Sequence, residues 1–397
     1  MEDVYLVDGL RSPVGRFGGG LAALRATEIA TPVVAELFRR TGMPVGEVGQ
    51  VIAGMVLQDM TESNPARVVS ERAGIPHEVA AFTINMQCAS GMVALIMAAR
   101  QIALGSVGAA LVLGLESMSN APYQVQGARW GLRLGDSRFI DTLAECKLAG
   151  SGMWGDPWDM IEVAENHAQV DGVSREEMDA YAVVSHQRAV AAIEAGRLDA
   201  EIVPITVSGP RGSTATITRD ENPRPDISAR RLAAMRPVRQ GGVITAGNSS
   251  AHNDGAAAAL LCDGETVARL GLSPLARIIV PGIAMVGCDP HLMGYSCVYA
   301  AEAALKGAGL ATEEMDLIEC NEGFAVQLVA CQRMAGWPAD RLNVDGGSVG
   351  FGHPVGMSGL RIVSHLAHAL RDRDLRHGIA SVPAGSGLGT AVVVERV

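Results

Sequence analysis

Cys88 is the residue of this chain whose position most strongly indicates chemistry. It follows an apolar run over 80–85 that predicts a buried strand, and it precedes apolar residues at helical spacing over 92–104. A thiol at such a joint would face backbone N–H groups and the positive end of the helix dipole, and both favour the thiolate. We therefore expect Cys88 to be the nucleophile of a covalent mechanism, and the alternative is a small buried apolar residue.

Two further segments carry polar residues at turns. The glycine-rich stretch 346–359 holds His353 before a predicted helix, where a histidine could act as a base or as an oxyanion donor. Asn321 follows a strand predicted over 315–320, at the strand end where α/β active sites usually lie. The alternatives are a surface-turn histidine and a turn-forming asparagine.

The elements that must position these residues repeat along the chain. Residues 1–119 alternate predicted strands and helices, which indicates parallel βαβ units. Residues 272–397 repeat the same order, so we predict a duplicated α/β fold with two similar halves around one site. Residues 120–249 form an inserted loop domain, with a helix over 174–195 that a capping box opens, and 250–271 return to the first half.

Composition excludes several classes of function. The net charge of −11 and the aromatic content of 4% argue against nucleic-acid binding. The seven cysteines show no Cys-x-x-Cys spacing, so neither a zinc site nor a disulfide framework is expected. No apolar run is long enough to span a bilayer, and we expect a cytoplasmic protein with no metal and no membrane partner.

Ordered motifs over nearly the whole chain resemble the thiolase family. The segment Cys88-Ala89-Ser90-Gly91 is similar to the family's nucleophile motif, and Gly352-His353-Pro354 is similar to its Gly-His-Pro motif. Further matches lie at 8–19, 114–119, 164–204, 245–248, 253–256 and 321–325. The resemblance implies a thiolase fold, in which two βαβ-type halves form a layered αβαβα core and the loop domain binds coenzyme A (CoA).

The resemblance also implies an activity and a set of roles. An acyl-CoA would transfer its acyl group to Cys88, as in an acetyl-CoA acetyltransferase or a 3-ketoacyl-CoA thiolase. His353 would take the thiol proton and later stabilise a thioester oxyanion, aided by Asn321 through a water molecule. The backbone amides of Cys88 and Gly385 would form a second oxyanion hole, and such a donor contributes on the order of 3 kcal/mol.

The CoA thioester would be the substrate, with no cofactor bound permanently. By resemblance, Arg224 would contact the nucleotide end of CoA, Ser250 and Met160 would line the pantetheine path, and Met293 would form a pocket wall. The alternatives are a solvated arginine and a core methionine. The family also implies a homodimer or homotetramer.

The chain departs from the family at Pro383. Family members carry a cysteine there, in a Cys-x-Gly motif, which removes the α-proton of the second acyl-CoA. Cys320, Cys297 and Glu322 are possible substitutes, and sequence does not rank them. Asp159 also stands where some members have a CoA-side histidine.

Three functions therefore remain open. The first is a thiolase that condenses or cleaves 3-ketoacyl-CoA. The second is a related enzyme that performs decarboxylative condensation, acyl transfer to a non-carbon nucleophile, or thioester hydrolysis. The third is a non-catalytic thiolase-like subunit.

Overall fold

The computed structural model describes residues 1–148, 158–209 and 212–397. The strands are β1 Val4–Arg11, β2 Gly15–Arg16, β3 Gln50–Gly54, β4 Ala80–Ile84, β5 Ala109–Ser117, β6 Tyr123–Gln124, β7 Ile140–Asp141, β8 Ile205–Ser208, β9 Thr214–Ile217, β10 Asn253–Asp263, β11 Ala276–Gly287, β12 Leu317–Cys320, β13 His377–Ala384 and β14 Leu388–Arg396. The helices are α1 Ala26–Thr41, α2 Pro65–Arg72, α3 Ser90–Ala103, α4 Thr142–Leu148, α5 Met160–Val170, α6 Arg175–Glu194, α7 Ala229–Ala233, α8 Gly264–Leu270, α9 Ser296–Ala308, α10 Ala325–Ala335, α11 Ser348–Phe351 and α12 Val355–Asp372.

The main sheet consists of two half-sheets with the same internal plan. The order β4-β3-β5-β10-β1 forms the first half, and β12-β13-β14-β11 forms the second. A parallel bridge from Ile318 to Leu342 lies beside β12, where the first half has the fifth strand β4. The halves meet where β1 pairs with β11 in antiparallel register, with Tyr5 opposite Arg277.

Side chains that alternate between the two faces of the strands form three hydrophobic clusters. In β10, Ala257, Ala259 and Leu261 face a central cluster that contains α3 and α12, and the residues between them face α1. A third cluster packs α9 against β12, β13 and β14. The resulting order is helix, sheet, helix, sheet, helix, with α3 and α12 in the middle layer.

The middle layer depends on glycines that let backbones approach closely. A Cβ atom added to Gly91 of α3 would lie 2.6 Å from the carbonyl oxygen of Gly356 in α12, and one added to Gly114 would lie 2.9 Å from the same oxygen. Glu116 of β5 holds the start of α12 in place, because its carboxylate accepts hydrogen bonds from Gly356 N–H at 3.0 Å and from Val56 N–H, just after β3, at 3.0 Å. The first turns of the two central helices are therefore held side by side.

The segment inserted between β5 and β10 carries the helices α4 to α7. A capping box opens α6, in which the Ser174 and Glu177 side chains cap each other's backbone N–H groups, as the sequence predicts. A buried ion pair joins this segment to the core, since Arg11 of β1 contacts Glu201 at 2.7 Å and Asp220 at 2.6 Å.

The predicted parallel βαβ units are present, but they make up only part of each half. The pairs β3-β5, β3-β4 and β12-β13 are parallel, but β1, β10, β11 and β14 pair antiparallel with their neighbours. The reason is that β10 and β14 re-enter the sheet without a crossover helix of the βαβ kind. Two helices begin earlier in the structure than the sequence predicts. Helix α3 begins at Ser90 rather than at 92, and α12 begins at Val355 rather than at 360, after the glycine-rich stretch.

Candidate active site

Cys88 lies in the turn between β4 and α3, at the floor of a cavity. Gln87 takes a left-handed conformation with φ of 52°, and the Ser90 hydroxyl closes the turn. That hydroxyl accepts a hydrogen bond from Met86 N–H at 2.9 Å and donates one to the Gln87 carbonyl at 2.6 Å. The Cys88 side chain is half-buried and borders the cavity.

The cavity has a volume of about 440 Å³ and is bounded by both halves and the inserted segment. Its walls are mainly apolar, as is usual for small-molecule sites. The residues that line it include Val56, Leu57, Gln87, Cys88, Met118, Leu143, Cys146, Asp159, Met160, Val238, Arg239, Ser250, His252, Met293, Phe324, His353, Val355, Pro383 and Gly385.

His353 reaches the cavity from the start of α12, the position that corresponds to Cys88 in the other half. Its backbone N–H donates to Asn253 Oδ1 at 3.0 Å. Its ring Nδ1 lies 2.7 Å from Ser358 Oγ, and that hydroxyl donates to the Pro354 carbonyl at 3.0 Å. Since the hydroxyl proton is already used, Nδ1 must carry the ring proton and donate to Oγ. Nε2 is then an acceptor, and it is buried without a hydrogen-bond partner among the described residues.

The protonation states differ from the sequence-based expectation. We expected a thiolate at Cys88, but burial raises the pKa of this thiol to about 12, with a further contribution from the nearby Cys146. Hydrogen bonds from the backbone N–H groups of Gly385 and Cys88 work in the opposite direction and are outweighed. Burial also lowers the pKa of His353 to about 3. The resting pair is therefore a neutral thiol and a neutral imidazole.

Gly385 follows β13 and lines the same cavity. Its backbone N–H and that of Cys88 are both directed at the Cys88 sulfur. Two amide donors converging on one position are suited to stabilising negative charge on an atom bound there.

Asn321 lies just after β12 and is buried. Its Oδ1 accepts a hydrogen bond from Ser348 Oγ at 2.7 Å, which orients the amide. Its Nδ2 is a buried donor without a hydrogen-bond partner in the described parts of the chain. Such a donor requires a water molecule or a ligand, although Asn321 itself does not border the cavity as described.

The structure places the predicted CoA contacts in two different locations. Ser250, Met160 and Met293 line the cavity, and Ser250 Oγ is held by the Gly323 carbonyl at 2.9 Å. Arg224 is exposed and is not one of the described residues that line the cavity. Its backbone N–H donates to His186 Nδ1 at 3.3 Å. The geometry thus groups three of the four residues and leaves Arg224 on the surface.

Sequence reasoning missed a charged pair at the cavity. Arg239 lines it and forms ion pairs with Asp159 at 2.9 Å and Glu162 at 2.8 Å. The sequence carries a signal for this pair, because Arg239 lies in the predicted CoA-binding segment at 120–249 and Asp159 stands where some thiolase-family members have a CoA-side histidine. Nothing in the sequence indicated that Gln87, Cys146 and His252 also line the cavity.

None of the three substitutes considered for the missing cysteine lines the cavity in the described part of the chain. Cys297 and Cys320 are fully buried, with their sulfurs 3.5 Å apart. The Glu322 carboxylate accepts hydrogen bonds from Tyr181 at 2.6 Å and Ser185 at 2.7 Å, so it serves the packing of α6. Pro383 does border the cavity.

Neither a metal cluster nor a membrane-spanning helix is found among the described residues. No group of three or more His, Cys, Asp or Glu side chains there is placed to hold a metal ion. None of the helices in those same residues combines the length and the apolar character that crossing a membrane requires.

Known protein families and relatives match nearly the whole chain. The thiolase N-terminal domain family matches residues 4–265, and the thiolase C-terminal domain family matches residues 272–396. The chain is 42% identical to an acetyl-CoA acetyltransferase of Pseudomonas aeruginosa, over the full length of both. It is also 41% identical to a probable acetyl-CoA acetyltransferase of Escherichia coli, again over both full lengths.

Solved structures show the same fold. The acetyl-CoA acetyltransferase of Bacillus anthracis superimposes with a TM-score of 0.96 at 39% identity, covering 100% of this chain and 99% of the other. Human mitochondrial 3-ketoacyl-CoA thiolase gives 0.95 at 37% identity, with the same coverage. These matches confirm the layered fold that the motifs implied. The chain belongs to the thiolase family, and it is an acyltransferase enzyme.

Proposed function

We propose that this enzyme transfers acyl groups from CoA thioesters through a thioester on Cys88, and that it condenses acyl-CoA or thiolytically cleaves 3-ketoacyl-CoA. The observation that carries the proposal is the arrangement around one cavity. The Cys88 thiol, the unprotonated Nε2 of His353 and the N–H groups of Cys88 and Gly385 all reach it.

The first step needs no preformed ion pair. His353 Nε2 takes the Cys88 proton as the sulfur attacks the thioester carbonyl, so charge develops only when substrate is present. Ser358 holds the imidazole in the tautomer that can accept this proton, through the contact with Nδ1 at 2.7 Å. The leaving CoA thiolate then takes the proton from the imidazolium.

Two oxyanion sites support the two carbonyl groups. The N–H groups of Cys88 and Gly385 would stabilise the tetrahedral intermediate on Cys88. Nε2–H of protonated His353 and a water molecule held by Asn321 Nδ2 would stabilise the enolate of the second thioester. The buried, partnerless Nδ2 supports this assignment.

We propose that CoA enters past the inserted segment. Ser250, Met160 and Met293 would line the pantetheine path, and Arg224 would meet the nucleotide end outside the cavity. The division into core halves at 1–119 with 250–271 and at 272–397, with the loop domain at 120–249, belongs to the same proposal. Support comes from the cavity walls, which all three parts supply.

The proposal is tested by incubating the protein with acetyl-CoA and measuring its mass. An acetyl adduct on Cys88 is expected, and Cys88→Ala should remove it. Acetoacetyl-CoA should be cleaved in the presence of CoA. An unmodified wild-type protein after incubation with acetyl-CoA would reject the proposed function.

Pro383 favours a second candidate, an enzyme of altered reaction. A proline beside the cavity supplies no proton, whereas decarboxylative condensation, acyl transfer to a non-carbon nucleophile and thioester hydrolysis need no base at the α-carbon. This candidate predicts that the wild type forms the acyl-enzyme but does not cleave acetoacetyl-CoA, and that Pro383→Cys restores cleavage. Efficient cleavage of acetoacetyl-CoA by the wild type would support the first candidate, a thiolase, and contradict the second.

We further propose a cytoplasmic homodimer or homotetramer. The strand β4 ends the sheet order, so one edge of its backbone has no strand beside it among the described residues. Its side chains are only partly covered and include Phe82 and Ile84. A second copy of this edge would complete the ladder. A reducing compartment keeps the Cys88 nucleophile as a thiol. Native mass spectrometry tests the assembly, and a monomer at micromolar concentration would contradict it.

A further inference from the structure

The proposed function leaves one chemical task without a residue. Both condensation and thiolytic cleavage need a group that exchanges a proton with the α-carbon of the second thioester. Pro383 cannot do so. The titratable side chains that line the cavity, among the described residues, are Cys88, Cys146, Asp159, Arg239, His252 and His353.

Most of these groups have other tasks. Cys88 carries the acyl group, and His353 serves Cys88 and the oxyanion. Burial raises the pKa of Asp159, but hydrogen bonds from Glu162 and from the first turn of α5 outweigh it and hold that pKa below its usual value. Asp159 also pairs with Arg239. A carboxylate that is stabilised in this way is a poor proton acceptor.

Cys146 lines the same cavity as Cys88 and contacts the residue that precedes it. It comes from α4 of the inserted segment, and its sulfur lies 3.9 Å from Oε1 of Gln87, the residue immediately before Cys88. It packs with Leu57, Met118 and Leu143, which form the apolar wall of the cavity there. The two thiols also interact electrostatically, since Cys146 contributes to the raised pKa of Cys88.

His252 is the competing group. It lines the cavity, and its ring packs edge-on against Phe17 with the centroids 6.0 Å apart. It adds to the lowered pKa of His353, which places it near the proposed base. Cys146 also supplies a thiol, the same chemical group that the family has at the position of Pro383.

We propose that Cys146 is the catalytic acid and base that exchanges the α-proton, in place of the cysteine that Pro383 replaces. This inference rests on the proposed function. During cleavage, the C2–C3 bond of 3-ketoacyl-CoA breaks after Cys88 attacks C3, and the electron pair forms the enolate of acetyl-CoA. The Cys146 thiol protonates C2 and becomes a thiolate.

The second half of the cycle restores both groups. The Cys146 thiolate recovers its proton from protonated His353, and the neutral imidazole then takes the proton of the incoming CoA thiol as the CoA sulfur attacks the acyl group on Cys88. The C–S bond to Cys88 breaks, and the Cys88 thiolate recovers its proton from His353. Every proton and electron pair is accounted for by the two thiols, the imidazole and CoA.

Two partial reactions separate this role from a structural one. Exchange of labelled CoA into acetyl-CoA needs only acyl transfer through Cys88. Exchange of the acetyl-CoA methyl protons with deuterium from the solvent needs α-proton removal. In Cys146→Ala, methyl exchange and acetoacetyl-CoA cleavage should each fall by about 10²- to 10⁴-fold. Labelled CoA exchange should stay within about threefold, which also shows that the variant is folded.

Matched variants complete the test. Cys288→Ala removes another half-buried thiol, which is not one of the described cavity residues, and should leave all three rates unchanged. Adding Pro383→Cys to Cys146→Ala should restore methyl exchange. Methyl exchange that persists in Cys146→Ala, or that is lost instead in His252→Leu, would overturn the assignment. Absence of labelled CoA exchange in the wild type would instead reject the proposed function itself.

Discussion

The reactivity of Cys88 should rise steeply with pH and should not level off in the neutral range. Burial raises the pKa of its thiol to about 12, and the pKa of His353 lies near 3, so neither group changes its charge between pH 6 and pH 9. An alkylating reagent such as iodoacetamide reacts with the thiolate alone. Its rate therefore reports the small thiolate fraction directly.

The expected size of the effect follows from the pKa. A thiol with a pKa of about 12 is ionised in about one molecule in 10⁵ at pH 7, and the fraction grows tenfold for each pH unit. From pH 6 to pH 9 the alkylation rate at Cys88 should therefore increase about 10³-fold. A preformed thiolate–imidazolium pair would give a rate that is almost constant over this range. An ordinary exposed thiol would begin to level off above about pH 8.5.

The assay follows the peptide that contains Cys88 by mass spectrometry after timed alkylation without substrate. Site-specific detection is needed because Cys146 and Cys288 are also partly exposed. The exposed thiol of glutathione provides the reference curve under the same buffers. A plateau at Cys88 below pH 8 would refute the neutral-pair mechanism, and the thiolate that the helix position alone predicts would then be correct.

Three further outcomes can be measured. Ser358→Ala removes the acceptor that fixes the His353 tautomer, so exchange of labelled CoA into acetyl-CoA should slow by about 3- to 10-fold at unchanged pH optimum; an unchanged rate would show that Ser358 has no positioning role. His365→Leu removes one of the two cationic partners of the buried Glu201 carboxylate and leaves it paired with Arg11, so urea unfolding at pH 6 should show a loss of about 1.5–3 kcal/mol. Burial of the His365 ring lowers its pKa, but Glu201 outweighs this effect and raises the folded pKa to about 10. The stabilisation that the His365–Glu201 pair provides is therefore present below pH 6.5 and should shrink as pH rises towards 10. Gly91→Ala places a methyl group 2.6 Å from a backbone oxygen of α12 and should lower both the urea midpoint and the acyl-transfer rate, whereas equal midpoints would contradict the packing described for the central helices.

Much of the fold could be predicted because its signals are local. Ser174 and Glu177 have the spacing of a capping box, which predicts the helix that starts after Ser174. The apolar period before and after Cys88 predicted the strand, the turn and the helix in the correct order, with ends displaced by about two residues. The duplication was visible because each half repeats the order of strand, turn and helix.

Strand direction could not be predicted, because it is decided by partners distant in sequence. The strand β10 is rich in alanine at 256–259, which has a low strand propensity, and it is stabilised by pairing with β1 and β5 on both sides. Antiparallel pairing needs no particular residue, so the sequence showed no sign of it.

The ionisation of Cys88 was predicted in the wrong direction for a related reason. The helix dipole and the two amide donors are features of the local turn, and sequence reasoning can include them. The cost of burying a charge depends on the packing of both halves and the inserted segment around the sulfur, which the local sequence does not contain. For Cys88, the cost of burying the charge outweighs the stabilisation that the amide donors give.

If Cys146 is the α-proton group as proposed, the division of labour between the core and the inserted segment explains how a chain with Pro383 in place of the family's cysteine can act on 3-ketoacyl-CoA. The proposed nucleophile, base and amide donors all lie at the ends of core elements whose positions are fixed by close backbone contacts, such as that between Gly91 and Gly356. A change at any of them would abolish acyl transfer. The α-proton group has only to reach the same cavity, and the inserted segment borders that cavity at Cys146. The proton-transfer role can therefore move to a new element, whereas the acyl-transfer role cannot.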